Sequence, residues 1–372
     1  MVHKKIKYVT WIGWGNYGTC LQSYALYRVL KDKGYEIEWL APFYKKGWIK
    51  SYLLLLLEKV GVNDWRRKRM HSNVLQDTKI LKFQKDNYSV CRIYTEKQYK
   101  NMLKTTDVFI SGSDQIWNTY VSYDPYMFLE FAKGVKKISY ASSIGTDNVP
   151  EQYKERIKSA LAKYSHISVR EKTAVGVLEY VTNRHDIIQV LDPTFLVTPD
   201  IWKELAEKAV IEFKLPDKYI LCYLIGKRET YKEQLYEIVE KTGITNIIII
   251  KSQENEAFTI KNAILYENAS PIEFVALINK ASLVCTDSFH ATAISINLSK
   301  DFIEFMRFDD NEEASQNSRV NDLLKQYDLT CRKYSYIHSI SMIEPVNYDK
   351  VQTKLEKDRM TSMSYLINSI EN

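Results

Sequence analysis

The chain lacks paired cysteines, which excludes a disulfide framework and a cysteine-rich zinc site. Its five cysteines lie far apart and form no CxxC motif: Cys20, Cys91, Cys222, Cys285 and Cys331. An odd, dispersed set of this kind is typical of reduced thiols in a cytosolic protein. The N-terminal stretch also has no signal-peptide core. We therefore expect a cytoplasmic protein, and we expect no metal site because no metal-ligand spacing is visible.

A membrane-spanning run is missing as well. The apolar run at residues 52–57 is too short to cross a bilayer. Four basic residues at 66–69 follow it, so the two segments together could lie on the inner face of an anionic membrane. The alternative is an ordinary buried helix with a charged end.

Strong charge of one sign is also absent. Lys and Arg number 52 against 46 Asp and Glu, which gives a net charge of +6. This excess is small and scattered, so it argues against nucleic acid and is compatible with an anionic ligand. With 372 residues, of which 45% are hydrophobic, the chain is expected to form two globular domains.

Histidine is scarce, and one of the six has a distinctive setting. The apolar residues 283–285 predict a buried strand, residues 286–288 favour a helix N-cap, and residues 289–297 predict an apolar helix. His290 is therefore expected in the first turn of a helix, just beyond the carboxyl end of a strand. Ligands of open α/β sheets bind at such an edge, and a helix N-terminus attracts anions. The alternative is a buried core histidine.

The N-terminal region predicts a doubly wound unit, with a strand at 6–12, a helix at 21–33 and a strand at 35–40. The turn matches G-x-G-x-x-G through Gly13, Gly15 and Gly18, and Glu38 stands where a ribose-binding acid is expected. An NAD-dependent oxidoreductase is therefore one hypothesis. The bulky Trp14 and Tyr17 within the turn argue against it.

Further strand ends carry polar residues. Ser111, Ser113 and Asp114 follow a strand at 107–110, and such hydroxyl and carboxylate groups can hold a polyol; the alternative is a plain turn. Arg170 ends another short strand, where its planar guanidinium suits a carboxylate or a phosphate unless it forms a structural salt bridge. Asp192 ends a third strand. Together these strand ends predict one sheet with one ligand-binding edge.

A second α/β unit begins after about residue 197, with predicted strands at 219–225, 246–250 and 302–305 around the His290 segment. The predicted organisation is an N-terminal lobe at 1–197, a C-terminal lobe at 198–345, and a last helix within 346–372 that packs back onto the first lobe.

Several segments in order resemble the polysaccharide pyruvyl transferase family over most of residues 6–330. They are GNYGTCLQSYAL, FISGSDQIWN, SYASSIG, SVREK, LDPTFLV and TDSFHATAISI. The resemblance implies two Rossmann-like doubly wound lobes facing a cleft, similar to the glycosyltransferase-B architecture. It also implies transfer of the pyruvyl group of phosphoenolpyruvate to sugar hydroxyls as a ketal, in the biosynthesis of a cell-surface polysaccharide. Under this resemblance His290 contacts the donor as a general acid, and Arg170 binds the donor.

There is one departure from the family pattern. Some members have an arginine two residues before the histidine, where this chain has Ser288, and Arg319 is a candidate substitute. The donor would then be bound by Arg170, Arg319 and the segment Ser288, Phe289 and His290. The expected acceptor-side residues are Asn16, Gln22, Ser111, Ser113 and Asp114.

Asp114 and Asp192 are candidates to position or deprotonate the acceptor hydroxyls. Phosphoenolpyruvate serves as co-substrate, no cofactor is expected, and the acceptor is a glycan or its lipid-linked precursor. Two further hypotheses stay open. One is a nucleotide-sugar glycosyltransferase of the same fold, which would bind a nucleoside diphosphate in the second lobe. The other is a non-catalytic carbohydrate-binding protein, whose function would survive His290→Ala.

Overall fold

The structure, a computed structural model, describes residues 4–13, 15–43, 74–309, 312 and 315–372, with only the backbone for 74–76. The apolar run at 52–57 and the basic run at 66–69 lie outside the described residues, as does Trp14. Within the described ranges, no helix combines the length and the apolar character needed to cross a membrane.

The first lobe contains a five-stranded parallel sheet in the order β3-β2-β1-β4-β5. Its strands are β1 Lys5–Val9, β2 Glu36–Leu40, β3 Val90–Cys91, β4 Val108–Ser111 and β5 Lys136–Ser139. A short parallel pair, β6 Ser168–Val169 and β7 Ile188–Gln189, continues this sheet through isolated bridges. The accompanying helices are α1 Tyr17–Asp32, α2 Val74–Asn87, α3 Glu96–Thr105, α4 Glu151–Leu161 and α5 Lys172–Thr182.

The second lobe repeats the same strand order in the sheet β10-β9-β8-β11-β12. Its strands are β8 Ile220–Tyr223, β9 Ile247–Ile250, β10 Ile264–Tyr266, β11 Leu283–Thr286 and β12 Phe302–Glu304. The remaining helices are α6 Pro193–Leu196, α7 Pro199–Glu207, α8 Tyr231–Thr242, α9 Pro271–Lys280, α10 Phe289–Asn297, α11 Asn317–Gln326, α12 Tyr334–Ile337 and α13 Tyr348–Glu371. The predicted α/β class with two Rossmann-like sheets is thus confirmed.

Local sequence explains where these elements form. All four residues of β9 are isoleucines and all are buried, as expected for a central strand of a parallel sheet that helices cover on both faces. Helix α8 is capped at its C-terminus by Gly243, which has the left-handed conformation. Helix α9 begins with a capping box between Ser270 and Glu273. These signals mark the end of α8 and the start of α9.

The predicted start of the first helix was wrong. Helix α1 begins at Tyr17 and not at Leu21, because the Asn16 side chain accepts a hydrogen bond from the Thr19 amide and caps the helix four residues earlier. Arg319 is the third residue of α11, which starts at Asn317.

The last helix, α13, contacts both lobes. Near its start, Gln352 donates from Nε2 to the Ile296 carbonyl oxygen at 2.8 Å. Near its end, Lys4 Nζ donates to the carbonyl oxygens of Ile370 and Glu371, both at 2.7 Å. In between, Arg359 Nε donates to the Phe195 carbonyl oxygen at 2.7 Å. One helix therefore ties the strand edge of the first lobe to the helices of the second.

Candidate active site

Carboxyl ends of strands from both lobes meet at one buried cluster. Arg170 Nη1 lies 3.0 Å from Asp192 Oδ2 and 3.4 Å from His290 Nε2. The same nitrogen lies 4.0 Å from Asp114 Oδ1. The arginine directly follows strand β6. Asp192 lies in the segment after β7, and Asp114 lies in the turn after β4. The histidine comes from α10 of the second lobe. Four residues predicted separately from strand ends thus come together.

Arg170 is the cation at the centre of this cluster. Its Nε donates to Glu171 Oε1 at 2.8 Å, and its guanidinium carbon lies 4.1 Å from the ring centroid of Phe289. Burial opposes the charge, but the carboxylates of Glu171, Asp192 and Asp114 outweigh it and raise the pKa of Arg170. Its Nη2 is buried and has no hydrogen-bond partner among the described residues. A buried, charged nitrogen of this kind is suited to an oxyanion.

Both carboxylate oxygens of Asp192 accept hydrogen bonds from other groups of the protein. Its Oδ1 accepts hydrogen bonds from the Thr194 amide at 2.9 Å and the Thr194 hydroxyl at 2.7 Å, while Oδ2 accepts from Ser113 Oγ at 3.0 Å. Burial would raise the pKa of Asp192, but the charges of His290 and Arg170 dominate and lower it. Asp192 is therefore a carboxylate that orients Arg170 and His290. Its side chain has 0% exposure, and a role of Asp192 at the acceptor hydroxyls stays a prediction.

His290 is held between the two lobes. Its Nε2 lies 3.6 Å from Asp192 Oδ2, so the protonated imidazole would form an ion pair with this carboxylate. On its other side, a Cβ added to Gly18 of helix α1 would come within 2.4 Å of His290 Nδ1. Only glycine at position 18 leaves room for the ring in this position. The third glycine of the predicted dinucleotide motif therefore makes space for the histidine.

Asp114 lies beside the cluster in a left-handed backbone conformation, with φ at 71°. Its carboxylate accepts hydrogen bonds from Thr19 Oγ1 at 2.7 Å and from the Gln115 amide at 2.9 Å. Burial would raise the pKa of Asp114, but His290 and Arg170 outweigh it and lower the pKa. Asp114 is thus a second carboxylate next to the histidine.

Arg319 brings a second buried guanidinium to the same place. Its Nε and Nη2 donate to the Gln316 carbonyl oxygen at 3.2 Å and to Gln316 Oε1 at 2.9 Å. Burial, and then the charges of Arg170 and Arg307, lower the pKa of Arg319 to about 9. Arg170 and Arg319 line the same small cavity, so an anion between them would be attracted by both guanidinium groups. Ser288 caps α10 without a side-chain hydrogen bond and lies buried.

Two of the predicted acceptor residues do not face the cleft. Gln22 is fully buried, and its Nε2 donates to Thr10 Oγ1 and to the carbonyl oxygens of Trp11 and Thr19. Ser111 is also fully buried, with its hydroxyl bound to the Met127 carbonyl oxygen at 2.7 Å. These two residues support the turns beneath the site, and their side chains are not available to an acceptor, contrary to the prediction.

The other predicted acceptor residues lie closer to the cluster. Asn16 is partly exposed and caps α1, and Ser113 donates to Asp192 as described above. Sequence reasoning missed Glu171, Thr19, Gln115 and Gln316. Three of them lie within the quoted motifs, Thr19 in GNYGTCLQSYAL, Gln115 in FISGSDQIWN and Glu171 in SVREK, whereas Gln316 lies in none of them.

In the second lobe, Asp287 closes the turn after β8. Its carboxylate accepts hydrogen bonds from the amides of Ile225 at 2.7 Å and Gly226 at 2.6 Å, and from the Tyr231 hydroxyl at 2.8 Å. In doubly wound folds the amides of such a turn bind the phosphates of a nucleotide. Here a protein carboxylate already occupies them.

Glu38 of the first lobe is likewise engaged, because it forms an ion pair with Lys7. Within the described ranges, no group of three or more His, Cys, Asp or Glu side chains is arranged to hold a metal ion.

Solved structures with low identity share this fold. A putative UDP-N-acetylglucosamine 2-epimerase from Listeria monocytogenes matches with a TM-score of 0.53 and 13% identity, over 99% of this chain and 98% of that one. A glycosyltransferase from Rickettsia africae matches with a TM-score of 0.50 and 10% identity, over 100% of both chains. No curated protein matches the sequence. At such identities the likeness shows the fold, which is the predicted glycosyltransferase-B arrangement.

The fold and the buried cluster define a two-lobed protein with charged side chains packed between its lobes. Residues 16–306 match the family described as polysaccharide pyruvyl transferase, so the chain belongs to that family. The resemblance inferred from the ordered motifs is confirmed. Membership supports a transferase.

Proposed function

We propose that the protein transfers the pyruvyl group of phosphoenolpyruvate to two hydroxyls of a glycan, or of its lipid-linked precursor, as a ketal with release of phosphate. Family membership supports the reaction class. The observation that carries the proposal is the buried pair of Arg170 and His290, whose Nη1 and Nε2 atoms lie 3.4 Å apart at the lobe interface. One group binds oxyanions and the other exchanges protons near neutral pH.

The donor carries a carboxylate and a phosphate, so its site needs several positive groups. Arg170 supplies one guanidinium with an unpaired Nη2, and Arg319 supplies another in place of the arginine that Ser288 replaces. The first turn of α10 adds backbone N–H groups and a partial positive charge. The Phe289 ring packs against the Arg170 guanidinium and restricts its orientation.

The reaction needs a proton on C3 of the donor. His290 in its protonated form delivers this proton, and C2 becomes electrophilic. The first sugar hydroxyl then forms a bond to C2 and loses its proton to a base. Next the C2–O bond to phosphate breaks, and inorganic phosphate leaves with the bonding electrons. The second hydroxyl adds to C2, and loss of its proton closes the ketal.

Asp192 and Asp114 are the two carboxylates of the cluster. The Asp192 carboxylate lies 3.6 Å from His290 Nε2 and holds the imidazole in place. Asp114, less enclosed by donors than Asp192, is the candidate base for the acceptor hydroxyls. We assign the reaction to the cytoplasm, with a lipid-linked acceptor presented at the inner face of the membrane.

For both nucleotide-dependent alternatives, the groups that would bind the nucleotide already have partners within the protein. A nucleotide-sugar glycosyltransferase would need the amides of Ile225 and Gly226, which bind Asp287. A dinucleotide enzyme would need Glu38 for a ribose, and Glu38 is paired with Lys7. Both alternatives are therefore outcomes to be tested.

The test is thermal unfolding of the pure protein with phosphoenolpyruvate, UDP, CDP or NADH added separately. A ligand at about 100 times its dissociation constant stabilises a fold by roughly 2.7 kcal/mol, which gives a clear shift. We expect a shift with phosphoenolpyruvate that disappears in Arg170→Ala and persists in the surface control Arg156→Ala. A shift with a nucleotide or NADH alone would reject the proposal. Sugars can then be screened for phosphate release, with His290→Ala as the inactive variant.

A further inference from the structure

Helix α11 of the second lobe docks onto the first lobe through polar contacts at both of its ends and its middle. Gln316, the residue before it, accepts from Gln115 Nε2 at 2.9 Å. Asp322 Oδ2 accepts from the Thr173 amide at 2.9 Å and from the Thr173 hydroxyl at 2.8 Å. Gln326 accepts from Gln189 at 3.3 Å. The side chains at 319, 322 and 326 share one helix face, so docking this face also delivers Arg319 to the cluster.

The Asp322 contact replaces a missing cap. Thr173 is the second residue of helix α5, so its amide is one of the donors that a helix leaves unsatisfied and that an N-cap side chain normally binds. The N-cap residue of α5 is Glu171, and its side chain makes no capping hydrogen bond. Its Oε1 instead accepts from Arg170 Nε at 2.8 Å. The cap therefore comes from the other lobe.

We propose that Asp322 is a positioning residue for the donor site: by capping α5 from the second lobe, it keeps Glu171 on Arg170. Without Asp322, Glu171 is the adjacent carboxylate that can turn to the Thr173 amide, and it then releases the Arg170 guanidinium. The packing of α11 against the first lobe thus fixes the orientation of Arg170 and also places Arg319 in the cluster. An oxyanion that binds both guanidinium groups stabilises the docked state.

The first test is donor binding, and it rests on the proposed function. We expect Asp322→Ala and Glu171→Ala each to raise the dissociation constant of phosphoenolpyruvate by about fivefold, the effect of one lost capping or ion-pair contact. Because both changes act through Arg170, the double variant should bind little more weakly than either single variant. Asp328→Asn is the charge control: Asp328 is exposed, has φ at 56° and should tolerate asparagine.

Unchanged affinity in Asp322→Ala, in a wild-type protein that binds phosphoenolpyruvate, would overturn the inference and leave the proposed function intact. A lower melting temperature with unchanged affinity would have the same meaning, since a purely structural contact gives that result.

The second test needs no donor, so it separates this inference from the proposed function. Hydrogen exchange of the Thr173 amide is measured in wild type, Asp322→Ala, Glu171→Ala and the double variant. If Glu171 takes over the cap, Asp322→Ala keeps part of the protection, and only the double variant loses it. Equal exchange in Asp322→Ala and the double variant would overturn the exchange of partners. Absence of phosphoenolpyruvate binding by the wild type, with the exchange pattern as expected, would reject the donor but not the cap.

Discussion

The two lobes have the same strand order, yet the aspartates that follow their fourth strands have different roles. Asp287, after β11, is tied by three hydrogen bonds to the turn and helix that follow β8 in its own lobe. Asp114, after β4, has one side-chain partner in α1 and lies near Arg170 of its own lobe and near His290 of the other lobe. One lobe ties the turn after its first strand with a carboxylate, and the other places a carboxylate beside Arg170 and His290. Equal topology therefore does not imply equal use.

The largest expected effect concerns the structural aspartate. Asp287→Ala leaves two buried amides and the Tyr231 hydroxyl without their carboxylate, so we expect a loss of about 4 kcal/mol in the free energy of unfolding. Chemical denaturation measures this loss. The same change at Asp114 should cost about 1 kcal/mol, and similar losses for both variants would contradict the contrast between the lobes.

The next effect tests the contact that joins the lobes. Gly18→Ala places a methyl group against the His290 ring, so we expect activity, or phosphoenolpyruvate-dependent phosphate release, to fall about hundredfold. Gly176→Ala is the matched control, since nothing lies within 4 Å of its added Cβ. That variant should keep full activity and gain up to about 1 kcal/mol of stability. Full activity of Gly18→Ala would show that His290 does not need its present position.

The lobes should also differ in how their buried carboxyl groups respond to pH. Burial raises the pKa of Glu304 in β12 from 4.5 to about 8, whereas the pKa values of Asp114 and Asp192 are lowered from 3.8. The Glu304 contribution is complete below pH 4.5 and is lost as the pH rises through 8. The contributions of the two aspartates are present above pH 3.8 and are lost as the pH falls.

Glu304→Gln should therefore remove the loss of stability between pH 4.5 and pH 8 and leave the profile below pH 4.5 unchanged. Urea unfolding between pH 3 and pH 9 measures both sides. A parallel profile for Glu304→Gln and wild type would show that this carboxyl group does not titrate as described.

The smallest effect concerns the electrostatics of the donor site. Asp114→Asn removes a negative charge 4.0 Å from Arg170 Nη1, at a backbone conformation that asparagine tolerates. We expect the dissociation constant of phosphoenolpyruvate to fall about threefold, because the anion then meets less repulsion. Turnover should decrease in the same variant if Asp114 accepts the hydroxyl proton. Calorimetry and a phosphate assay separate the two effects, and weaker donor binding would contradict the charge argument.

The sequence was sufficient to predict the α/β class of both lobes and the strand ends that meet, but not the edge strands β3 and β10. Arg170, Asp192 and His290 could be found because each follows a short apolar strand, and parallel strands present their carboxyl ends at one edge. The burial of Gln22 could not be predicted in the same way. Helix α1 is buried over residues 17–27, so its polar residues gave no amphipathic pattern to show which face meets the cleft.

The contacts between the lobes could not be predicted from the sequence for a similar reason. The capping of Thr173 by Asp322 joins residues 149 positions apart, and no local pattern marks such a pair. Gly18 was interpreted as part of a dinucleotide motif, because the motif describes a turn and not the ring that approaches it from the other lobe. Tertiary packing decided both cases.

The hydrogen bonds between Lys4 and the carbonyl oxygens of Ile370 and Glu371 have a consequence for biosynthesis. They join residues separated by 366 and 367 positions, so Lys4 can make these contacts only after residue 371 has left the ribosome. Every residue of the buried cluster, from Asp114 to Arg319, precedes α13 in the chain. The residues of the cluster are therefore synthesised before the helix that contacts both lobes is available to hold them together.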